Sequence, residues 1–451
     1  MTIRLDHIKG QKIGIFGLGL TGVSVYKSLI DTAGQVICYD DLENTRRQFA
    51  AQFGEKALLP ITDNNWIRLN QIIVSPGISR SHAVFALAEQ YNIAISSDIE
   101  LFYHQNPNSK YTVITGTNGK STTTALTSHI LASSGINYAA GGNIGTPVLS
   151  LPAGKEHYLF ELSSFQIDLL TDFIPNIAVL LNITPNHLDR HGNFEEYARI
   201  KASILMRGGI RIITVDSQVT AEIYQKLKKL GEKELIPISS INEIKEGVSL
   251  FENRLIDNFF DHKQYILPIN PNLVGRHNQE NIVASFVVCR ALGVKGKEII
   301  GSIASFQGLA HRMQYIASKD GIDFYNDSKA TNATAALAAL SSLDNIFWLA
   351  GGRFKEENLL PLNNVLDNIR KAYIFGESKH IFADYLKDKV DYEISDTMQE
   401  AFNLAVRDAK AYKGKKNILL APAAASLDQF KNFEERGRIF KELVESLPDN
   451  I

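Results

Sequence analysis

The sequence predicts an α/β protein of three domains in series, each built around a mainly parallel sheet. Short apolar, β-branched runs alternate with longer amphipathic stretches along most of the chain, which is the pattern of parallel α/β units. At 451 residues the chain is also too long for one core, because single cores stop growing at about 250–300 residues. Finally, two glycine-rich turns, at 17–22 and 116–119, each sit between a strand-like and a helix-like run.

Taken in order, "KIGIFG", "QVICYD", "QIIVS" and "IAISS" are the strands expected of the first domain, which ends near residue 100. The polar, turn-rich "HQNPNSK" reads as a linker. A second set of strands follows in "YTVITG", "HYLFELSS", "IAVLLNI" and "RIITVD". Between about 235 and 270 the rhythm loosens into hairpin-like pieces, before a helix at "NQENIVASFVVCRALG". The last set is "IDFYND", "NIFWLAGG", "KAYIFG" and "NILLAPA". No repeat of 20 to 50 residues and no low-complexity tract interrupts this series.

Composition excludes several classes. A net charge of −2 supplies no basic field for nucleic acid, so anions are expected at local sites. No apolar run approaches a membrane span and the N-terminus lacks a signal-peptide core, so a cytoplasmic protein is expected. Cys38 and Cys289 are too few for a disulfide framework or a thiolate zinc site, and both lie in apolar stretches that predict burial.

In "IGIFGLGLTGVSV", Gly17, Gly19 and Gly22 spell G-x-G-x-x-G, and Asp40 closes the next apolar run. That is the spacing of a dinucleotide site, which leaves a nicotinamide or flavin oxidoreductase as one reading. In "YTVITGTNGKSTTT" the strand leads into Gly116, Thr117, Asn118, Gly119, Lys120, Ser121 and Thr122. Glycines let backbone N–H groups approach an anion, Lys120 adds a point charge for outer phosphates, and a hydroxyl beside it suits Mg²⁺. The pattern is a shortened phosphate loop, since Ile114 stands where the longer form has glycine.

A phosphate loop calls for an acidic metal partner at a neighbouring strand end, and Glu161 closes "HYLFE" there. The following strand runs into "TPNHLDRHGN", which gathers His187, Asp189, Arg190 and His191 at another strand end. Farther on, His311, Arg312, Asp327, Lys329, Arg353 and Lys355 follow strands and form a candidate cationic rim for several anions.

"TGTNGKSTTT", "ELSSFQ", "NITPNHLDRH", "GRHNQEN", "GLAHRMQ", "NDSKATN" and "LAPAAASLDQFKNFEERG" resemble, in order and rough spacing, the motifs of the Mur ligases. The resemblance spans essentially the whole chain. It implies an N-terminal Rossmann-like domain for a UDP-sugar (1–103), a central P-loop-type ATPase (104–305) and a C-terminal Rossmann-like domain for the incoming amino acid (306–451). It also implies ATP-dependent amide formation through an acyl phosphate. The expected substrates are UDP-N-acetylmuramoyl-L-alanine, D-glutamate and ATP, with Mg²⁺, and the expected state is a monomer.

The resemblance also distributes roles among residues. Lys120 would hold the β/γ-phosphates, Ser121 and Glu161 one Mg²⁺, and His187 a second, while Lys201 matches a lysine that the family carbamylates. Asn278, Asn281, Arg312 and Asp327 match nucleotide contacts. Lys329, Thr331, Lys355, Ser426 and Phe433 match positions around phosphate and D-glutamate. Leu20, Thr21, Asp40, Ser75, Pro76 and Gly77 match the UDP-binding set, and Asn143 and Ser163 lie among the substrate contacts of the central domain.

The chain departs from the family pattern at Asn186, where Asp is usual before the metal histidine, at Asp41, where a hydroxyl is common, and in "LAPAAAS". A silent UDP-sugar-binding protein and a folate polyglutamate ligase are the remaining alternatives. The first conflicts with the intact Lys120, Glu161, His187 and Lys201 set, and the second with the N-terminal glycine domain.

Overall fold

A computed structural model describes residues 3–231, 234–355 and 358–448. It contains three sheets. The first is all parallel, with β1 (Lys12–Phe16), β2 (Gln35–Tyr39), β3 (Gln71–Val74) and β4 (Ala94–Ser96) in the order β2-β1-β3-β4.

The second sheet has nine strands: β5 (Lys110–Thr115), β6 (Tyr138–Gly142), β7 (His157–Glu161), β8 (Ile177–Leu180), β9 (Ile210–Thr214), β10 (Leu235–Ser239), β11 (Val248–Phe251), β12 (Arg254–Asp257) and β13 (Lys263–Ile266). Their order is β13-β12-β11-β10-β9-β8-β5-β7-β6. Pairing is parallel from β6 through β11, and β12 and β13 finish the sheet as an antiparallel meander.

The third sheet contains β14 (Gln314–Lys319), β15 (Ile322–Asn326), β16 (Ile346–Gly351), β17 (Ile369–Phe375), β18 (Tyr392–Ile394) and β19 (Lys416–Leu420). The order is β14-β15-β19-β16-β17-β18, and only β14 is antiparallel.

The central strands are continuous apolar runs because helices cover both faces of a parallel sheet. Every residue of β7, β8 and β16 is buried. Three strands had no clear signal in the sequence. β6 reads "YAAGG", which lacks β-branched residues, β14 is a half-exposed edge strand, and β18 spans only three residues. The expected linker "HQNPNSK" is shorter than it reads, since His104 and Gln105 finish the helix Asp98–Gln105 and Lys110 starts β5. Cys38 and Cys289 are both fully buried.

By contact the chain divides into two compact units, Met1–Leu267 with Glu280–Ser302, and Pro268–Gln279 with Ile303–Ile451. In the first unit a buried carboxylate joins the helix Asp98–Gln105 to the segment after the helix Ser164–Asp168. Glu100 Oε1 accepts the N–H groups of Thr171, Asp172 and Phe173 at 2.7, 3.1 and 3.2 Å. Among the described residues no helix is long and apolar enough to cross a membrane.

Candidate nucleotide and substrate sites

In the first unit, the glycine turn after β1 is held from two neighbouring strand ends. Asp40 accepts from the N–H groups of Leu18 (2.7 Å) and Leu42 (2.9 Å), and Ser75 Oγ donates to the Gly17 carbonyl at 2.8 Å. The carboxylate of Asp40 therefore braces the turn itself. Gly22 is required by close approach, since a Cβ there would lie 1.9 Å from the Gly17 oxygen. Gly19 has open space around it and precedes the helix Leu20–Leu29, whose first residue, Leu20, is 80% exposed. Thr21, Pro76 and Gly77 lie at least partly open to solvent, and Asp41 pairs with His82 at 3.0 Å.

The phosphate loop follows β5. Gly119 takes φ +81° as it caps the helix Lys120–Ser133, a conformation that suits glycine. Asn118 N–H donates to Asn182 Oδ1 at 2.8 Å, and the Thr117 N–H donates to the Asn182 carbonyl at 2.8 Å. Lys120 Nζ curls over the loop and donates to the carbonyls of Gly116 (3.0 Å) and Thr117 (2.8 Å). Ser121 is buried and Thr122 is half-buried.

Three predicted groups converge around this loop. Glu161, 1% exposed at the end of β7, accepts from Asn143 Nδ2 at 2.7 Å through Oε1, while its buried Oε2 has no hydrogen-bond partner. Lys201, buried on the helix Phe194–Ser203, donates to the Gly116 carbonyl at 2.8 Å and to Thr115 Oγ1 at 3.3 Å. Burial first, and the Lys120 charge second, hold its proton affinity well below the ordinary lysine range, against the pull of Glu161. His187 is exposed with φ +53° and its ring lies 5.0 Å from that of Phe165. Desolvation, assisted by Lys201 and Lys120 and opposed by Asp189, lowers its pKa and favours the neutral imidazole that binds metals.

The Ser121 hydroxyl and the buried Glu161 oxygen without a partner are hard oxygen donors that suit Mg²⁺ once Lys201 carries no positive charge, and the neutral His187 imidazole adds a further lone pair beside them. Other predicted residues have structural duties as well. Ser163 caps the helix Ser164–Asp168 in a capping box with Gln166, Asn143 is bound to Glu161, and Asn281 Oδ1 accepts from Thr123 Oγ1 at 3.0 Å. His191 hydrogen-bonds Ser164 Oγ at 2.9 Å.

In the second unit, Asp327, Lys329, Thr331, Lys355 and Ser426 follow the C-terminal ends of β15, β16 and β19, where open sheets hold ligands, while Arg312 precedes β14 and Asn278 and Phe433 belong to helices. Asp327, after β15, accepts from the Met313 N–H at 3.1 Å. Although part of Asp327 reaches solvent, enclosure by protein pushes its carboxyl up to about 7, with Arg312 and the Met313 N–H pulling the other way. Lys329 Nζ stands 5.0 Å from the Phe433 ring centre, which brings two predicted glutamate-site residues together. Ser426 is buried, Thr331 half-buried and Lys355 exposed, while Asn278 donates to the Val274 carbonyl at 2.8 Å. Arg353 is held in an exposed ion pair with Glu377 at 2.8 Å.

Two further residues escaped sequence reasoning. Asn182, at the end of the run after β8, braces the phosphate loop. Arg436 is fully buried and donates to Ser328 Oγ (3.0 Å), the Ser328 carbonyl (2.8 Å) and the Ala424 carbonyl (3.0 Å). Their signals were a polar residue closing an apolar strand and a cation within "FEERG".

Three family models match: Mur ligase MurD-like, N-terminal domain, over residues 11–97, Mur ligase middle domain over 114–289, and Mur ligase, glutamate ligase domain, over 311–424. The chain is 47% identical to the UDP-N-acetylmuramoylalanine–D-glutamate ligase of Rickettsia bellii, over 97% of this chain and 98% of that protein. It is 35% identical to the ligase of the same name from Wolbachia pipientis, over 99% of each. Among solved structures, the MurF ligase of Thermotoga maritima in complex with ADP matches with a TM-score of 0.57 at 18% identity, over 98% of this chain and 96% of that one. The MurC ligase of the same organism matches with a TM-score of 0.58 at 16% identity, over 97% and 99%.

Proposed function

The chain belongs to the Mur ligase family, and on that premise we propose that it is an ATP-dependent amide ligase adding D-glutamate to UDP-N-acetylmuramoyl-L-alanine, a step of peptidoglycan precursor synthesis. What carries this proposal is the grouping of Lys120, Lys201 and Glu161 about one phosphate loop at the C-terminal edge of the central sheet. An oxidoreductase has no use for that grouping. The choice of D-glutamate rests on the names of the relatives.

In the proposed reaction the substrate's alanine carboxylate oxygen attacks the γ-phosphorus of ATP and ADP leaves, giving an acyl phosphate. The D-glutamate amine then attacks the carbonyl carbon, and the tetrahedral intermediate collapses to the amide with loss of phosphate and a proton. Lys120 and the loop N–H groups steady the charge on the moving phosphoryl group. Lys201, as a carbamate, converts a buried cation into an anion beneath the loop. Ser121, Glu161, His187 and the Lys201 carbamate would hold Mg²⁺, which supplies charge neutralisation for the phosphates.

The loop residues 116–122 with Asn278, Asn281, Arg312 and Asp327 serve the nucleotide. Leu20, Thr21, Asp40 and Ser75–Gly77 serve the UDP moiety, with Asn143 and Ser163 nearer the sugar. Lys329, Thr331, Lys355, Ser426 and Phe433 serve phosphate and D-glutamate. The proposed domains are 1–103, 104–305 and 306–451, the outer two Rossmann-like and the middle one P-loop-type, in a cytoplasmic monomer.

The test is phosphate release with ATP, UDP-N-acetylmuramoyl-L-alanine and a panel of amino acids. Release confined to D-glutamate is expected, and no release with any amino acid overturns the proposal.

A further inference from the structure

A carboxyl group beside the phosphate loop has no part in the chemistry above. Glu280 lies near the start of the helix Arg276–Ala291. Its Oε2 accepts from Asn182 Nδ2 at 3.0 Å, and its Oε1 is buried without a hydrogen-bond partner. Asn182 turns the rest of its amide on the loop. Oδ1 accepts the Asn118 N–H at 2.8 Å, and Nδ2 reaches the Asn118 carbonyl at 3.3 Å. One side-chain amide thus completes both backbone groups of a loop residue. The next helix residue, Asn281, bears on the other end of the loop, since a Cβ on Gly119 would lie 2.3 Å from its Oδ1.

We propose that Glu280 is a positioning residue of the nucleotide site: it fixes the Asn182 amide, which pins both backbone groups of Asn118 and so holds the phosphate loop in one conformation. This rests on the loop being the ATP site. An amide turned over would set its oxygen against a carboxyl oxygen and leave the Asn118 N–H facing a donor, and both contacts are unfavourable. The geometry holds in either protonation state, because a proton on Oε1 leaves Oε2 free to accept. Burial pushes this carboxyl up to about 7, so both states occur near neutrality. Glutamine matches the protonated state, presenting an oxygen to Asn182 and a donor on its other side.

The experiment is calorimetric binding of ADP with Mg²⁺ to the full-length protein and to E280A, E280Q, N182A and the double variant, with UDP-N-acetylmuramoyl-L-alanine binding and Tm measured alongside. Loss of the brace is expected to weaken ADP about 10-fold in E280A, with E280Q within about twofold of the unaltered protein. The double variant should bind no worse than N182A alone, because the two residues act in series, and affinity for the UDP-sugar should not move. Where E280A loses the fold, E280M keeps the volume and is read in the same way. ADP binding by E280A equal to that of the unaltered protein overturns the proposal, as do penalties that multiply in the double variant or a failure of E280Q to restore binding. An unaltered protein that binds the UDP-sugar but no ADP overturns the nucleotide reading itself, and this proposal with it.

Discussion

Lys120 and Lys201 donate to the same atom, the carbonyl oxygen of Gly116, at 3.0 and 2.8 Å. Two ammonium groups this close repel, and Lys201, the buried one, gives up its proton more readily.

A neutral amine is the form that adds CO₂, forming an N–C bond and releasing a proton. Incubation with ¹³C-labelled bicarbonate should therefore give a carbamate carbon signal that K201R lacks. K201R should lose about 100-fold or more in kcat while still binding ADP. An unlabelled protein with full activity would remove the carbamate from the mechanism. Stability carries a matching signature in CO₂-free buffer. Between the lowered folded pKa and the unfolded value of about 10.4, the unfolded state binds the extra proton, so stability rises with pH. The Tm difference between K201M and the unaltered protein should shift in favour of the unaltered protein as pH rises from the lowered folded value toward about 10.4.

Lys120→Ala removes the only charge that the loop itself projects. Phosphate release should fall at least about 100-fold, with UDP-sugar affinity and Tm little changed. Retained release would move the phosphoryl site elsewhere.

The glycines of the first turn should separate folding from binding. G22A forces a methyl group 1.9 Å from the Gly17 oxygen and should cost about 3 kcal/mol or more of stability, seen as a lower Tm. G19A meets no neighbour and should change stability by less than about 0.5 kcal/mol. Its added methyl should nonetheless weaken UDP-sugar binding if, as proposed, this turn holds the diphosphate, since a glycine at this position of the motif lets the backbone approach it.

Asp327 should trade stability for binding. Its folded pKa of about 7 lies above the ordinary aspartate value of 3.8, so the native state holds a proton that the unfolded state has released and stability falls as pH rises through that window. D327N keeps an oxygen for the Met313 N–H and should therefore gain Tm relative to the unaltered protein between pH 4 and 7. ADP should bind more weakly to it. Unchanged ADP affinity would take Asp327 out of the nucleotide site.

The buried parallel strands were legible because both of their faces are apolar, and Lys120 and Glu161 because a glycine loop and a strand end mark them in one dimension. Asp40 was legible as a position but not as a brace, since its partners Leu18 and Leu42 donate only backbone N–H groups. Lys201, on a helix of mixed polarity, carries no local mark of its burial, and only the family resemblance singles it out. Asn182, Glu280 and Arg436 depend on partners 64, 98 and 108 residues away, and no local pattern records such pairings.

Arg436 joins the loop after β15, the loop after β19 and its own helix, Phe433–Ser446, through a single guanidinium. Ser328 and Ala424, which it grips, stand beside Lys329 and two positions before Ser426 in the chain. These surfaces are therefore not independently tunable parts. A change that loosened the C-terminal helix would reach the proposed phosphate and glutamate contacts together, and a destabilising substitution far from either substrate would be read in an assay as a loss of both.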